Sequence, residues 1–157
     1  LREHGSIESF LGECLKSSDD ELFSGLDKFA DRMSLNRKDG SFSLVSAPRD
    51  GSACKRLFLY LRWMVRNQDV DPGGWSLLSP SQLLVPTDTH IFRIASALQL
   101  THRKSPNLSS AIDISRTFSL CHHSDPIRYD FPLCRLGLRL HYLNINFSCL
   151  DGTYYTT

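Results

Sequence analysis

The stretch from Ser52 to Arg66 constrains the fold most strongly, because its apolar residues recur at the spacing of an α-helix. A second line of side chains runs along the same segment at i, i+4, i+7 and i+11, and it places three cations on one face. The stretch therefore predicts an amphipathic helix with one side in a core. The apolar stripe consists of Cys54, Leu57, Phe58, Leu61, Met64 and Val65, and the second line of Lys55, Leu59, Arg62 and Arg66.

Capping residues precede other segments with helical spacing, whereas no set of segments alternates as strands do. The pattern predicts about six helices and an all-α domain. A polar loop is expected over Asn36–Gly51 and a turn over Asp71–Gly74. The expected helix starts are Ser6, Asp19 or Asp20, Asp88 with a helix through Gln99, Asn107 with a helix through about Phe118, and the segment Ser124, Asp125, Pro126.

The composition predicts one globular domain, with 157 residues of which 41% are hydrophobic and 22% charged. No apolar run approaches the roughly 20 residues that span a bilayer, and the first residues lack the features of a signal peptide. The five cysteines include no C-x-x-C pair that would hold zinc or an iron–sulfur cluster. We therefore expect a cytoplasmic protein, associated with the nucleoid if bacterial, with no membrane contact, metal or other cofactor.

Positive charge is concentrated in one part of the chain although the net charge is only +1. Residues 1–33 contain four Lys or Arg and eight Asp or Glu, whereas residues 34–67 contain seven and two. A local phosphate-binding surface has this distribution, and so does a solvated helix face. The charge pattern leaves both interpretations open.

Two segments carry a resemblance to known families. Residues 85–94 contain D-T-H-x-x-R followed directly by a predicted helix, and they resemble the segment with the catalytic aspartate of the helix-hairpin-helix DNA glycosylases. That superfamily includes endonuclease III and 8-oxoguanine glycosylases. Residues 55–66, with 71–75 and 125–131, resemble a bacterial domain family of unknown function that is itself similar to an archaeal 8-oxoguanine glycosylase group.

The resemblance implies a helix-hairpin-helix DNA-glycosylase-like helical domain over residues 1–138 that lacks the family's N-terminal helices. Residues 139–157 are expected to be a divergent C-terminal tail. Pro132 is expected in the second turn of a helix, where proline removes a hydrogen bond and costs about 3 kcal/mol.

The resemblance also implies a catalytic pair, Lys55 and Asp88. In a glycosylase that also cleaves the backbone, an amine attacks the sugar C1′ as the base leaves, and a carboxylate accepts a proton and stabilises the sugar cation. Each residue has a structural alternative. Asp88 before an apolar-periodic segment is an ordinary helix N-cap, and Lys55 alone would be a solvated helix lysine.

The segment from Pro48 to Ser52 is the candidate hairpin. Backbone N–H groups of Gly51 and Ser52 would bind a phosphate at the start of the following helix, although a plain loop-to-helix cap has the same sequence features. The cations expected to contact DNA are Arg56, Arg62 and Arg66.

Asp130 and His90 are secondary site candidates, with a surface carboxylate and simple packing as their alternatives. Trp63 and Trp75 could stack on an extruded base or fill the core. Cys121, His122 and His123 lack a second ligand pair with metal-binding spacing.

The predicted function is therefore base-excision repair: removal of an oxidised base such as 8-oxoguanine from double-stranded DNA, with or without lyase activity. Two other classes stay open, a non-catalytic DNA-binding module and a protein-interaction relic of the same fold. The lesion, the catalytic competence, the protein partners and the oligomeric state are not specified by the sequence.

Overall fold

Helices dominate the structure, a computed structural model that describes residues 5–17, 22–34, 45–68 and 70–142. The all-α class is confirmed, and the helix-hairpin-helix arrangement stays a prediction. None of the described helices is both long and apolar enough to cross a membrane. The α-helices are α1 (Ile7–Lys16), α2 (Leu22–Ser34), α3 (Lys55–Val65), α4 (Thr89–Ala97), α5 (Leu108–Cys121) and α6 (Asp130–Tyr142), and short 3-10 helices span Pro48–Asp50, Pro80–Gln82 and Pro126–Tyr129.

Three of the predicted helix starts are confirmed by side-chain caps. Ser6 accepts a hydrogen bond from the Ser9 amide, Asp88 from that of Ile91, and Asn107 from that of Ser110. Each cap satisfies one of the N–H groups that a helix start leaves unpaired. The expected caps Asp19 and Asp20 lie outside the described residues.

α3 begins at Lys55, three positions later than the apolar pattern suggested. The reason is Cys54, whose φ of 46° lies in the left-handed region and breaks the helical path before that point. The Ser52 hydroxyl accepts a hydrogen bond from the Cys54 amide and fixes this bend. Lys55 therefore becomes the first residue of the helix.

The core forms where the apolar stripe of α3 meets the other helices. The middle of that stripe is fully buried, whereas Met64 and Val65 at its end are only half-buried. Burying such side chains stabilises the fold by about 1.5–3 kcal/mol each. The core includes Leu57, Phe58 and Leu61 of α3 with Leu11, Leu26, Ile91, Ile114 and Ile127 from other segments.

The end of α3 is closed by a loop that follows it. β1 (Asn67–Gln68) and β2 (Asp71–Pro72) form a two-stranded antiparallel ladder, and Gly73 then turns with a φ of 67°. The Gly73 amide donates to the Trp63 carbonyl and the Trp75 amide to the Met64 carbonyl, both at 2.9 Å. These two bonds satisfy carbonyl groups that the last helical turn leaves without a partner.

Pro132 does not interrupt a helix, contrary to the sequence-based expectation. The segment Pro126–Tyr129 is a 3-10 helix, and α6 begins only at Asp130, so Pro132 lies in the first α-helical turn. An amide at that position has no partner within the α-helix, so its absence costs little. α6 continues to Tyr142, past the proposed domain boundary at 138, and residues 143–157 of the proposed tail lie outside the described residues.

Gly137 brings α6 close to α4. A Cβ atom at this position would lie 3.0 Å from the His90 Cβ and 3.0 Å from the Ile94 Cδ1. Only a residue without a side chain allows this approach without displacing α4. The contact sets the distance between the middle of α6 and the N-terminal half of α4.

Candidate active site

Lys55 and Asp88 meet in one cleft although 33 residues separate them in the chain. Lys55 projects from the first residue of α3, and Asp88 caps α4. The Lys55 Nζ lies 3.1 Å from the Asp88 Oδ2. The expectation that these side chains share a cleft is confirmed, while their catalytic roles stay predictions.

The two carboxylate oxygens of Asp88 have different partners, one in the helix cap and one in the cleft. Oδ1 accepts the Ile91 amide at 2.8 Å, and Oδ2 accepts from Lys55. Burial alone would raise the pKa of Asp88, but the hydrogen bonds from Ile91 and Lys55 outweigh it and hold the pKa below its usual range. The carboxylate is therefore ionised at neutral pH, with 14% of the side chain exposed against 46% for Lys55.

The cleft has a volume of about 350 Å³ and combines these two charges with apolar walls. Pockets of roughly 300–1,000 Å³ hold small ligands, so the space suits one small ring system. The walls come from α3, the loop after it, the start of α4 and α6. The lining residues are Lys55, Leu59, Arg62, Trp63, Val70, Pro86, Asp88, Ile91, Asp130, Phe131 and Cys134.

Asp130, a secondary candidate, lies on the α6 wall of this cleft. Its Oδ2 accepts a hydrogen bond from the Arg62 Nη1 at 2.8 Å, and only 6% of the side chain is exposed. Burial raises the pKa of Asp130 to about 6, with Arg62 opposing the rise and Asp88 adding to it. The structure thus places in one cleft a carboxyl group with a lowered pKa, Asp88, and one with a raised pKa, Asp130.

Arg62 and Arg66 are not surface cations, and the prediction that they contact DNA phosphates is wrong. Only 3% and 8% of their side chains are exposed. Both form ion pairs with aspartates. Arg62 pairs with Asp71 at 3.2 Å. Arg66 pairs with Asp125 at 3.0 Å, and it also pairs with Asp71. We call these residues, with Asp130, the buried charge cluster. Phosphate cannot reach guanidinium groups that are buried and already paired.

The candidate hairpin presents fewer amides than expected. The Gly51 N–H donates to the Pro48 carbonyl at 2.9 Å, so it is occupied within the turn and the prediction that it binds phosphate is wrong. Ser52 is half-buried, and binding of phosphate by its amide stays a prediction. Arg56, the second residue of α3, is exposed as a DNA contact requires.

Of the remaining aromatic and histidine candidates, only Trp63 lines the cleft. Trp63 lines the cleft with 41% of its surface exposed. Trp75 instead packs edge-on against Tyr60, with ring centroids 5.5 Å apart, and belongs to the rim of the core. His90 does not line the cleft and packs against α6 at Gly137, but its charge helps to lower the pKa of the neighbouring Asp88.

Sequence reasoning missed the apolar part of the cleft and the partners of the arginines. Val70 lies outside the predicted helices, and Phe131, inside the helix predicted from Ser124, was indicated only as part of the resembling segment 125–131. For a metal, the described part of the chain offers no group of three or more His, Cys, Asp or Glu side chains.

Comparison with known proteins identifies a family but no function. A family model described as "Protein of unknown function (DUF2400)" matches residues 1–139. No curated protein and no solved structure matches the chain.

Proposed function

Because the chain belongs to the DUF2400 family, whose function is unknown, we propose its function from the cleft: it is a DNA glycosylase with lyase activity. It removes an oxidised base such as 8-oxoguanine from double-stranded DNA through Lys55 and Asp88, on a helix-hairpin-helix type of domain. The observation that carries this proposal is the 3.1 Å contact between the Lys55 Nζ and the Asp88 Oδ2 inside a cleft of about 350 Å³.

Lys55 is suited to be the nucleophile. It stands at the first residue of a helix with nearly half of its side chain exposed, so a sugar can approach the Nζ without the core opening. The amine attacks C1′ as the bond to the base breaks, and the resulting adduct leads to a Schiff base.

Asp88 is suited to be the carboxylate of the reaction. Its lowered pKa keeps it charged, and its bond to the Ile91 amide fixes it at the start of α4. A fixed negative charge beside C1′ stabilises the developing sugar cation and accepts the proton that the attacking amine loses.

The surroundings fit a base that has left the DNA stack. Trp63 and Phe131, both about 40% exposed, line the cleft with aromatic side chains, as residues of sites for extruded bases do. Arg56 and the amides of the first turn of α3, which the Cys54 side chain does not cap, lie beside Lys55, where the phosphates that flank the extruded nucleotide would pass.

Borohydride trapping tests the proposal. Wild-type protein should form a covalent adduct with duplex DNA that carries an abasic site or a single 8-oxoguanine. Lys55→Gln should abolish the adduct without loss of folding, because glutamine has nearly the same helix propensity as lysine. Lys104→Gln, at an exposed lysine outside the cleft, is the matched control.

Asp88→Asn should slow trapping strongly while keeping the helix cap, because asparagine caps as well as aspartate does but carries no charge. Asp113→Asn is its control, since Asp113 also forms an ion pair at 3.1 Å, with Arg103, on another helix. Wild-type protein that gives no adduct with either DNA contradicts the catalytic proposal. DNA binding without an adduct would then indicate the binding module, and capture of a partner chain without DNA binding the interaction relic.

A further inference from the structure

The buried charge cluster contains more acid than base. Two arginines, Arg62 and Arg66, face three aspartates, so the fully ionised cluster would bury one net negative charge. Among the described residues, no other cation lies within ion-pair distance of these aspartates. Because an uncompensated buried charge is strongly unfavourable, one carboxyl group of the cluster is the natural place for a proton.

Asp130 has the weakest compensation of the three. The Asp71 Oδ2 accepts from both arginines, and both oxygens of Asp125 accept from Arg66. Asp130 accepts a single bond, from Arg62 to its Oδ2, whereas Asp71 accepts two and Asp125 three. Among the described residues, no hydrogen bond reaches the Oδ1 of either Asp130 or Asp71. It is also the one aspartate of the cluster that lines the cleft.

The charges around Asp130 come from three helices. Lys55 and Arg62 belong to α3, Asp88 to α4 and the Cys134 thiol to α6 itself. His90 of α4 packs against α6 at Gly137, about one turn beyond Cys134. Burial dominates and raises the pKa of Asp130 to about 6, whereas the pKa of Asp88 is lowered. Two carboxyl groups whose pKa values are pushed apart in one site commonly divide the roles of acid and base.

We infer that Asp130 is the general acid of the cleft: its neutral carboxyl group protonates the base as that base departs. The inference rests on the proposed function, because it assigns a second half-reaction to the same cleft.

The protons and electrons of this step balance. The Lys55 ammonium first passes one proton to the Asp88 Oδ2, which frees an electron pair on Nζ. Nζ then forms a bond to C1′ while the bond from C1′ to the base nitrogen breaks, and the electron pair of that bond goes to the base. The Asp130 proton follows the electron pair, so that the base leaves neutral and Asp130 becomes a carboxylate paired with Arg62. Asp88 holds the proton that the Lys55 ammonium gave up, and the alkylated nitrogen carries the positive charge. One carboxyl group gives a proton and the other receives one.

Two DNA substrates separate this role from that of Lys55. Duplex DNA with one 8-oxoguanine requires a base to be expelled, whereas an abasic-site duplex offers Lys55 a sugar that has no base. Single-turnover base release by the wild-type protein should fall about tenfold per pH unit above about pH 6, as a general acid loses its proton. Asp130→Asn should lower base release by about 100-fold at pH 6 and remove this pH dependence, and it should slow borohydride trapping on abasic DNA far less.

Asp125→Asn is the matched control. It also removes one negative charge from the buried charge cluster, but Asp125 does not line the cleft, so base release should still fall with rising pH; because Asp130 then faces less negative charge, the fall should begin at a lower pH than in the wild-type protein. Thermal melting of both variants verifies that they fold. A carbon-13 NMR titration of the wild-type Asp130 carboxyl group gives a measurement that needs neither a variant nor a lesion, and it should show ionisation near pH 6.

Each result decides between the two proposals. Base release by Asp130→Asn at the wild-type rate, equal loss of the pH dependence in Asp125→Asn, or ionisation of Asp130 in the ordinary aspartate range overturns the general-acid role alone. If the wild-type protein traps abasic DNA but does not release 8-oxoguanine, the NMR titration of Asp130 tests the general-acid role. Ionisation near pH 6 supports that role, and ionisation in the ordinary aspartate range overturns it. No trapping on abasic DNA overturns the proposed function, and the role of Asp130 with it.

Discussion

The two ends of α3 use the same kind of residue in opposite ways. At its start, Lys55 and Arg56 are exposed, and Lys55 faces the cleft. Two and three turns later, Arg62 and Arg66 continue the same line of the helix but are buried and paired with aspartates. The line of positive side chains along α3, the basic stripe, is thus exposed at the cleft where the helix starts and buried in ion pairs where it ends.

The difference shows that the positions of the acidic partners determine whether a cation along α3 is buried or exposed. Arg62 pairs with Asp130 and Arg66 with Asp125, which lie 68 and 59 residues farther along the chain. No acidic partner other than Asp88 reaches Lys55 within the described residues, and Asp88 leaves the lysine half-exposed. Charge counted along the sequence cannot distinguish these cases, because it does not show which residues fold back onto the helix.

The largest expected effect comes from breaking the buried end of the stripe. Arg66→Ala leaves Asp125 without its cation and Asp71 with Arg62 alone, so we expect the free energy of unfolding to fall by about 3–5 kcal/mol. Urea denaturation measures the loss. Arg103→Ala breaks the exposed pair with Asp113 and should change stability by only about 0–1 kcal/mol. Equal losses at the two sites would remove the distinction between the buried and exposed pairs.

The next effect concerns the approach of α6, which carries Asp130 to Arg62. Gly137→Ala places a methyl group 3.0 Å from the His90 Cβ and should lower the free energy of unfolding by about 1–3 kcal/mol, because α4 must shift. Gly12→Ala is the control, since its methyl group meets Leu77 at an ordinary 3.5 Å, and the higher helix propensity of alanine should leave the protein no less stable. Stabilisation by both substitutions would show that α4 and α6 are not closely packed.

The two cleft carboxylates should give stability opposite dependences on pH. The pKa of Asp88 is lowered by folding, so its contribution is present above the unfolded pKa of roughly 4 and is lost as the pH falls through the folded value. The pKa of Asp130 is raised to about 6, so the folded state holds an extra proton between about pH 4 and 6, and stability falls as the pH rises through that window.

Each group contributes at most about 1.4 kcal/mol per pH unit. Denaturation of Asp130→Asn at pH values between 4 and 7 should lack the fall that the wild-type protein shows in this window. A wild-type stability that rises steadily from pH 4 to 6, with no change in Asp130→Asn, would contradict the raised pKa.

The smallest effect is expected at the exposed end of the stripe. Arg56→Gln should change the free energy of unfolding by no more than about 0.5 kcal/mol, because the side chain is exposed. It should reduce the slope of log affinity against log salt for duplex DNA by about 0.9, the contribution of one phosphate contact. Arg116→Gln, at an exposed arginine of α5 outside the cleft, should leave the slope unchanged. Identical slopes for Arg56→Gln and wild type would exclude this face as the DNA contact.

Local chemistry explains which parts of the fold were predictable. The caps at Ser6, Asp88 and Asn107 follow from side chains that bond to amides three residues away, so the sequence displays them directly. The start of α3 was misplaced because the left-handed backbone of Cys54 has no sequence signal. Pro132 was misjudged because a 3-10 helix delays the start of α6.

The candidate site was predictable only as far as its motifs extended. Lys55 and Asp88 were found through segments that resemble a known family, and the structure brings them together. The apolar walls at Val70 and Phe131 depend on the packing of the loop after α3 and of α6, which no local pattern records. The burial of Arg62 depends on contacts of the same long-range kind.

The closure of α3 by the following loop has a consequence for how the protein opens. The amides of Gly73 and Trp75 bond to the last turn of α3, so that turn cannot complete its hydrogen bonds until the chain has folded back through β1 and β2. Loop and helix end therefore form one cooperative unit, and neither can unfold alone without leaving the other with unpaired backbone groups. The exchange of these two loop amides with deuterium thus reports on the opening of the helix that carries Lys55.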